Sequence, residues 1–577
     1  MKHLCIALLT YWLLGSASLF AQTKADATPN PTKFDRFRLY LTDKRGTPYT
    51  IARPYEFLSA RAIERRDRYA IPITTEDLPL TPKYVRTIAE TGAKVLVHSR
   101  WFNTVTVQAD SAVLTKLRKL AFVKGVLPVS RTRRAKESRP GKMGERTDTY
   151  KRIANPYGTA ARQIEMLNGQ TLHQIGYDGR GMMLAVMDGG FQNVDVMPFF
   201  DSLRATHRIY ATHDFNDGDN FVYDHSNHGT MVLSTIAANL PGLMIGTAPQ
   251  ATIVLLKTED VGSESMIEED NWVAGAEYAD SIGVDVINSS LGYTVYEYKE
   301  TSYRYRDLNG HKAFATRGAN KAAARGILVV NSAGNSGADD WKYVGVPADA
   351  DSIISVGAVA ADRDRAYFSS IGPTADGRTK PNVAAMGFES TVAALSGYRT
   401  ETASGTSFSS PITAGMVTAL WQAAQNRNNM EVKENLEAAG SQAFSPDNLL
   451  GYGIPDYYRA YLWLSEGAVD MIASNEKTQV ITGNSLDVVL SSVRSGLPVS
   501  IHITDEFGNT VFEQKQLEPL EATRFTPPNW QNTPDGGYLI TVSNGDRVYH
   551  TWVYKAAHPA SVGRGLQTLP MEGIIKP

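Results

Sequence analysis

Hydrophobic residues change their spacing several times along the chain, and each change marks a separate part. The first is a short apolar run, Leu4 to Leu14, led by Lys2 and His3 and followed by small residues up to Ala21. A run of about 11 residues is too short to cross a bilayer, which takes roughly 20. Its basic start and small-residue end predict a cleaved export signal over residues 1–21. From 32 to 130 the period switches between helical and extended. Thr81-Pro82 opens a helix that Gly92 closes, and Lys94–His98 and Phe102–Gln108 read as strands. Asp110-Ser111 caps a second helix with Val113, Leu114, Leu117 and Leu120 on one face, and Val123–Val129 reads as a closing strand. These elements predict a small α+β unit.

Over residues 157–464 the apolar runs become continuous and alternate with longer helical patterns. Met182–Met187, Thr252–Leu256, Val284–Asn288, Gly326–Asn331 and Ile353–Val359 read as strands, with helical patterns at Met231–Asn239, Asn271–Ile282 and His311–Arg325. Unbroken apolar strands are buried on both faces, the mark of a mostly parallel sheet covered by helices. The expected fold class is therefore α/β, a doubly wound sheet with its site beyond the carboxyl ends of the strands. From 473 to 557 the period falls to two: Val499, Ile501 and Ile503 alternate with polar residues, and Tyr538–Ser543 and Arg547–Tyr554 flank an Asn544-Gly545-Asp546 turn. That predicts a C-terminal β-sandwich, followed by an irregular tail over 558–577.

Residues 131–156 join the first two units. Between Arg131 and Arg146 stand seven basic residues against Glu137 and Glu145, with Pro140-Gly141 among them. An exposed linker of this kind is a place where proteases cut. Over the whole chain, 58 basic and 60 acidic residues give a formal charge of −2, without the basic excess of a general nucleic-acid binder. Hydrophobic residues at 42% and charged residues at 20% are ordinary globular usage. The single cysteine, Cys5, lies in the export signal, which excludes disulfides, thiolate catalysis and cysteine-held zinc from the processed protein.

The candidate chemistry sits where strands end and helices begin. The run Met182–Met187 ends in Asp188-Gly189-Gly190; Asn227-His228-Gly229-Thr230 opens a helix; and Gly405-Thr406-Ser407-Phe408-Ser409-Ser410-Pro411 leads into another. Alone, each residue is an ordinary turn or cap. Together they are a hydroxyl, an imidazole to take its proton and a carboxylate to orient that imidazole, the set that nucleophilic acyl transfer needs. Asn335, just past Gly326–Asn331, adds an amide donor for an oxyanion.

The order Asp188, His228, Asn335, Ser407, in the motifs DGG, HGTMV, SAGNSG and GTSFSSP, resembles the subtilisin-like serine proteases, or subtilases, over residues 157–464. The resemblance implies Ser407 as nucleophile, His228 as general base and then acid, Asp188 as its orienter and Asn335 as oxyanion donor. It also implies that Ser290-Leu291-Gly292 pairs with substrate and that Ala333-Gly334 forms the opposite wall of the specificity pocket. Gly189 stands where the family usually has a hydroxyl residue. The 32–130 unit resembles the inhibitory propeptides of secreted subtilases, with the processing site in 131–156, and Asp535-Gly536-Gly537-Tyr538 resembles part of a type IX secretion sorting domain.

The expectation is thus a secreted or cell-surface serine endopeptidase made as a self-processing zymogen. Its partners would be protein or peptide substrates and its own propeptide, with no nucleic acid and no stable membrane span. An esterase of the α/β-hydrolase type has its serine first, within G-x-S-x-G, whereas Ser407 comes last. A binding protein on a dead scaffold would lack a triad or oxyanion residue, and none is missing. No cofactor is required. A structural calcium is the one ion the resemblance adds, but the oxygen-rich loop Asp214–Asn220 has its glycine at the fifth position, against the sixth of an EF-hand, and reads as a polar surface loop. The pH dependence is expected near the ordinary histidine value of about 6.5.

Overall fold

A computed structural model describes residues 34–132, 150, 152–464, 468–470, 479–482, 486–490, 499–505, 507–517, 523–525, 527–544 and 547–556. The export signal, most of the basic linker and the final tail lie outside the described residues.

The N-terminal unit is a four-stranded antiparallel sheet in the order β2-β3-β1-β4. Its strands are β1 (Arg36–Leu41), β2 (Lys94–Ser99), β3 (Thr104–Gln108) and β4 (Val123–Ser130). Its helices are α1 (Ala60–Arg68), α2 (Pro82–Glu90) and α3 (Ser111–Leu117), the last capped by the Asp110 carboxylate accepting from Val113 N–H. Phe37, Leu39, Val105 and Val107 meet Ile88, Leu114 and Leu117 in its core. The elements expected from spacing are all present; β1 and α1 are additions.

The central unit is a seven-stranded sheet in which every pairing is parallel. Its strands are β5 (Met183–Asp188), β6 (Ile209–Asp214), β7 (Thr252–Lys257), β8 (Val286–Ser289), β9 (Leu328–Ser332), β10 (Ile354–Val359) and β11 (Val383–Met386), ordered β11-β10-β9-β8-β5-β7-β6. Side chains alternate between two buried faces, as the continuous apolar runs require. Leu184, Val186, Ile253 and Val330 pack on one side against Val232 and Ile236 of α4 (His228–Ala237) and Ile412 and Met416 of α7 (Thr406–Ala423). Ala185, Met187, Leu256 and Ile287 pack on the other against Trp272 of α5 (Ile267–Ile282) and Ala315 and Ala319 of α6 (Phe314–Ala323). The strand order reverses about β5, so the ends of β5, β8 and β9 form the crevice where ligands bind in such sheets. Among the described residues, no helix is long and apolar enough to cross a membrane.

Beyond Leu464 lie a three-stranded sheet and a five-stranded sheet, the latter bearing a small core of Ile501, Ile503, Ile540 and Val553 with Trp530. Strand Val499–Asp505 alternates buried and half-buried positions, and Gly536–Asn544 pairs antiparallel with Arg547–Ala556.

Candidate active site

Asp188 is the last residue of β5 and only 1% exposed. A carboxylate there needs partners, and it has them: Gly189 N–H donates to Oδ1 at 2.8 Å, and His228 Nδ1 lies 2.9 Å from each carboxylate oxygen. His228 is the first residue of α4, its backbone N–H donating to Ser226 Oγ at 3.1 Å. In the neutral imidazole the Asp188 contact places the proton on Nδ1 and leaves Nε2 as the accepting nitrogen. Burial alone would lower the imidazole's pKa, but the Asp188 charge and hydrogen bond, with Glu259 adding to them, push it up to about 9. The expected titration near 6.5 is corrected accordingly.

A side chain at position 189 would place its Cβ 2.7 Å from Val261 Cγ1. A hydroxyl residue there would have to turn the exposed Val261 side chain aside, and with glycine the carboxylate keeps the bond from the residue's own backbone N–H.

Ser407 is the second residue of α7, an 18-residue helix whose free N–H groups and dipole favour negative charge at this end. The Phe408 and His228 rings lie 6.0 Å apart, which sets the helix start against the imidazole. Pro411 lies inside the helix and has no N–H, so the Ser407 carbonyl four residues earlier lacks its helical donor. Ser290 Oγ fills that vacancy at 2.9 Å, and Ser407 Oγ in turn donates to Ser290 O at 3.4 Å. The hydroxyl therefore rests on the strip after β8 rather than on Nε2, and hydrogen bonds of this kind tighten only when substrate is bound.

Asn335 is exposed, past the end of β9. Its Oδ1 accepts from Thr406 N–H and from Thr406 Oγ1, each at 2.9 Å. With the oxygen so committed, the amide nitrogen is the atom left to donate outward. Thr406 Oγ1 also accepts from Gly334 N–H at 3.1 Å, and Gly334 adopts φ +109°, where an added Cβ would crowd Ser370 Oγ at 2.9 Å. Ala333 is fully buried beside Val344 and Ala348, while Gly292 is exposed and Leu291 O accepts from Asn331 Nδ2 at 3.1 Å. All nine residues singled out from the sequence thus gather at the carboxyl ends of β5, β8 and β9 and the starts of α4 and α7. Thr406, which orients Asn335, and Glu259, which acts on His228, were not singled out. Thr406 was legible as a hydroxyl at the helix start; Glu259 carried no signal in one dimension.

His225 faces away from the pair. It adopts φ +62° and contacts Asp224 and Lys257. Asp214 is neutralised by the same lysine, Lys257 Nζ at 2.7 Å, while its Oδ1 accepts from Asn216 N–H at 2.8 Å. An ammonium and an Asx turn already satisfy this carboxylate, which does not fit a calcium ligand. Among the described residues, no group of three or more His, Cys, Asp or Glu is placed to hold a metal ion.

A doubly wound sheet with this constellation at its carboxyl edge defines an α/β hydrolytic enzyme of the serine type. Residues 179–453 match the family model for the subtilase family, and residues 36–142 match that for the peptidase S8 propeptide domain of Bacteroidota. Subtilisin DY of Bacillus licheniformis is 32% identical over 226 residues, 38% of this chain and 69% of that one. Subtilisin of Bacillus pumilus is 31% identical over 291 residues, 50% of this chain and 91% of that one. The chain belongs to the subtilase family: it is a serine-type endopeptidase preceded by a propeptide domain.

Proposed function

We propose that this subtilase is exported and self-processing, and that it hydrolyses peptide bonds through an acyl-enzyme on Ser407. The observation that carries the reading is the pair of buried Asp188 and half-buried His228 facing a helix start that bears Ser407. Rotation of Ser407 Oγ from Ser290 O toward Nε2 lets His228 take its proton as the oxygen attacks the scissile carbonyl. Asp188 holds Nδ1–H and stabilises the imidazolium. The oxyanion is met by the Asn335 amide and Ser407 N–H, and His228 then protonates the leaving amine. Water repeats the sequence on the ester and releases the acid. Ser290-Leu291-Gly292 offers backbone to pair with the substrate, with Ala333-Gly334 as the facing wall. No cofactor is needed.

The test is the precursor from Gln22 beside its Ser407→Ala variant, followed by mass and by new N-termini. Shortening of the wild type to a start between about 130 and 160, with the variant intact and its turnover lower by several powers of ten, is expected. Near-normal proteolysis by the variant would overturn the assignment.

A further inference from the structure

Beside the Asp188–His228 pair, the loop from Thr258 to Met266 and the start of α5 carry carboxylates that, among the described residues, no lysine or arginine meets. Glu259 is half-buried, Glu264 lies at the exposed rim, and Glu268 is buried beneath them with its two oxygens accepting from Asp260 and Ser265 N–H groups. Among the described residues, no lysine or arginine forms an ion pair with any of the three. Their neighbours in sequence differ sharply: Glu269 is satisfied by Tyr296, Tyr303 and Ala315 N–H, and Asp270 by Arg38 and Thr106. Burial and mutual repulsion accordingly hold the carboxyls of Glu259 and Glu268 above the usual range.

An independent observation points to a missing occupant. Tyr293 is 1% exposed and its hydroxyl leans on Glu259, with Glu268, Glu269 and Glu264 near, yet among the described residues it has no partner at good hydrogen-bond geometry. The buried Ser265 hydroxyl is likewise unsatisfied. Buried hydroxyls left without partners beside carboxylates have lone pairs free to accept, which a bound donor would complete. Tyr293 directly follows Gly292, so under the proposed reading the pocket lies along the substrate's acyl side, N-terminal to the scissile bond. The chain itself leads here. Ser130 O accepts from Asp35 N–H, the adjoining Phe34 ring lies 4.5 Å from that of Tyr298, and the neighbouring Glu297 N–H donates to Glu264 O. The sequence that continues from this point is Arg131-Thr132-Arg133-Arg134.

We infer that Glu259 and Glu264, over Tyr293, form a cation-accepting subsite that takes a lysine or arginine side chain of the peptide substrate, a short way N-terminal to the scissile bond. Buried, clustered carboxyls resist ionising together without a counter-ion beside them; a guanidinium or ammonium supplies the charge and the donors together. The inference rests on the proposed triad and substrate strip.

The test uses self-processed enzyme and fluorogenic peptides with Arg or Gln at each of the four positions N-terminal to the cleaved bond. The wild type is expected to favour Arg over Gln at one position by at least tenfold in kcat/KM. Glu259→Gln and Glu264→Gln should each cut that ratio severalfold, the pair should bring it to about one, and Glu264→Lys should invert it toward a Glu-bearing peptide. Because the ratio is taken within one variant, a general loss of folding does not move it. Cleavage of all peptides with no position favouring Arg would overturn this inference alone, as would an undiminished ratio in the double variant. Failure to cleave any peptide would overturn the triad reading and this one with it.

Discussion

A histidine base works only in the pH range where it has lost its proton, and for His228 in its proposed role as base that range is set by its neighbours. The Asp188 carboxylate outweighs burial and holds the proton more tightly, raising the pKa to about 9. The neutral base therefore accumulates only as pH rises toward that value, and kcat/KM should climb well above pH 6.5, with an inflection moved toward about 9. Glu259 contributes in the same direction, so Glu259→Gln should shift the inflection downward. Peptide hydrolysis measured from pH 5 to 11 checks both; an acid limb at or below about 6.5 would contradict the first. At this scale the sequence was most informative for residues bound to a local motif. Asp188, His228, Asn335 and Ser407 each stand at a strand end or helix start, where backbone geometry leaves few roles for such side chains. Glu259 was illegible because its effect depends on distance to residues 71 and 31 positions earlier, which spacing does not encode.

The helix α7 shows how an element positions the chemistry. Its first residue, Thr406, fixes the Asn335 amide, and its Pro411 releases the Ser407 carbonyl to Ser290. Thr406→Val keeps the backbone donor to Asn335 Oδ1 but removes the hydroxyl that bonds both Asn335 and Gly334. Losing an oxyanion donor outright costs about 10²–10³ in kcat, so this partial loosening should cost roughly tenfold in kcat with KM little changed. Steady-state kinetics on one peptide decide it, and an unaltered kcat would show that Asn335 needs no such bracing. Strands with unbroken apolar runs were readable as elements, whereas β6 and β11 were not. Strand β6 has half-exposed, polar positions, and β11 is a run of only four residues, Val383-Ala384-Ala385-Met386. Helix α1 was hidden for another reason: its buried residues include Arg65 and Arg66, and burying arginine makes sense only once Asp280, more than 200 positions away, is brought to it.

That contact belongs to the whole molecule, for the propeptide unit is fastened to the central unit by charge. Arg65, Arg66 and Arg100 converge on the fully buried Asp280, Arg38 pairs with Asp270 at 2.5 Å, and Arg61 pairs with Asp285. Glu277 accepts from Ser99 Oγ and the N–H groups of Arg100 and Trp101. Burial would raise the Asp280 carboxyl, but the arginines outweigh it and hold it below the usual range. A depressed carboxylate pKa contributes its stabilisation above the ordinary value of about 3.9 and loses it only as pH falls below that. Acidification to about pH 5 should therefore not release the cleaved propeptide. Removing the shared anion should. Asp280→Asn strands buried arginines, a loss of about 3 kcal/mol, or roughly a hundredfold weaker hold at 1.4 kcal/mol per tenfold. In the full precursor this predicts a much shorter lag between propeptide cleavage and the appearance of peptidase activity, with activity scaled to the amount of cleaved enzyme. An unchanged lag in Asp280→Asn would mean that apolar contacts, rather than this arginine cluster, keep the propeptide in place.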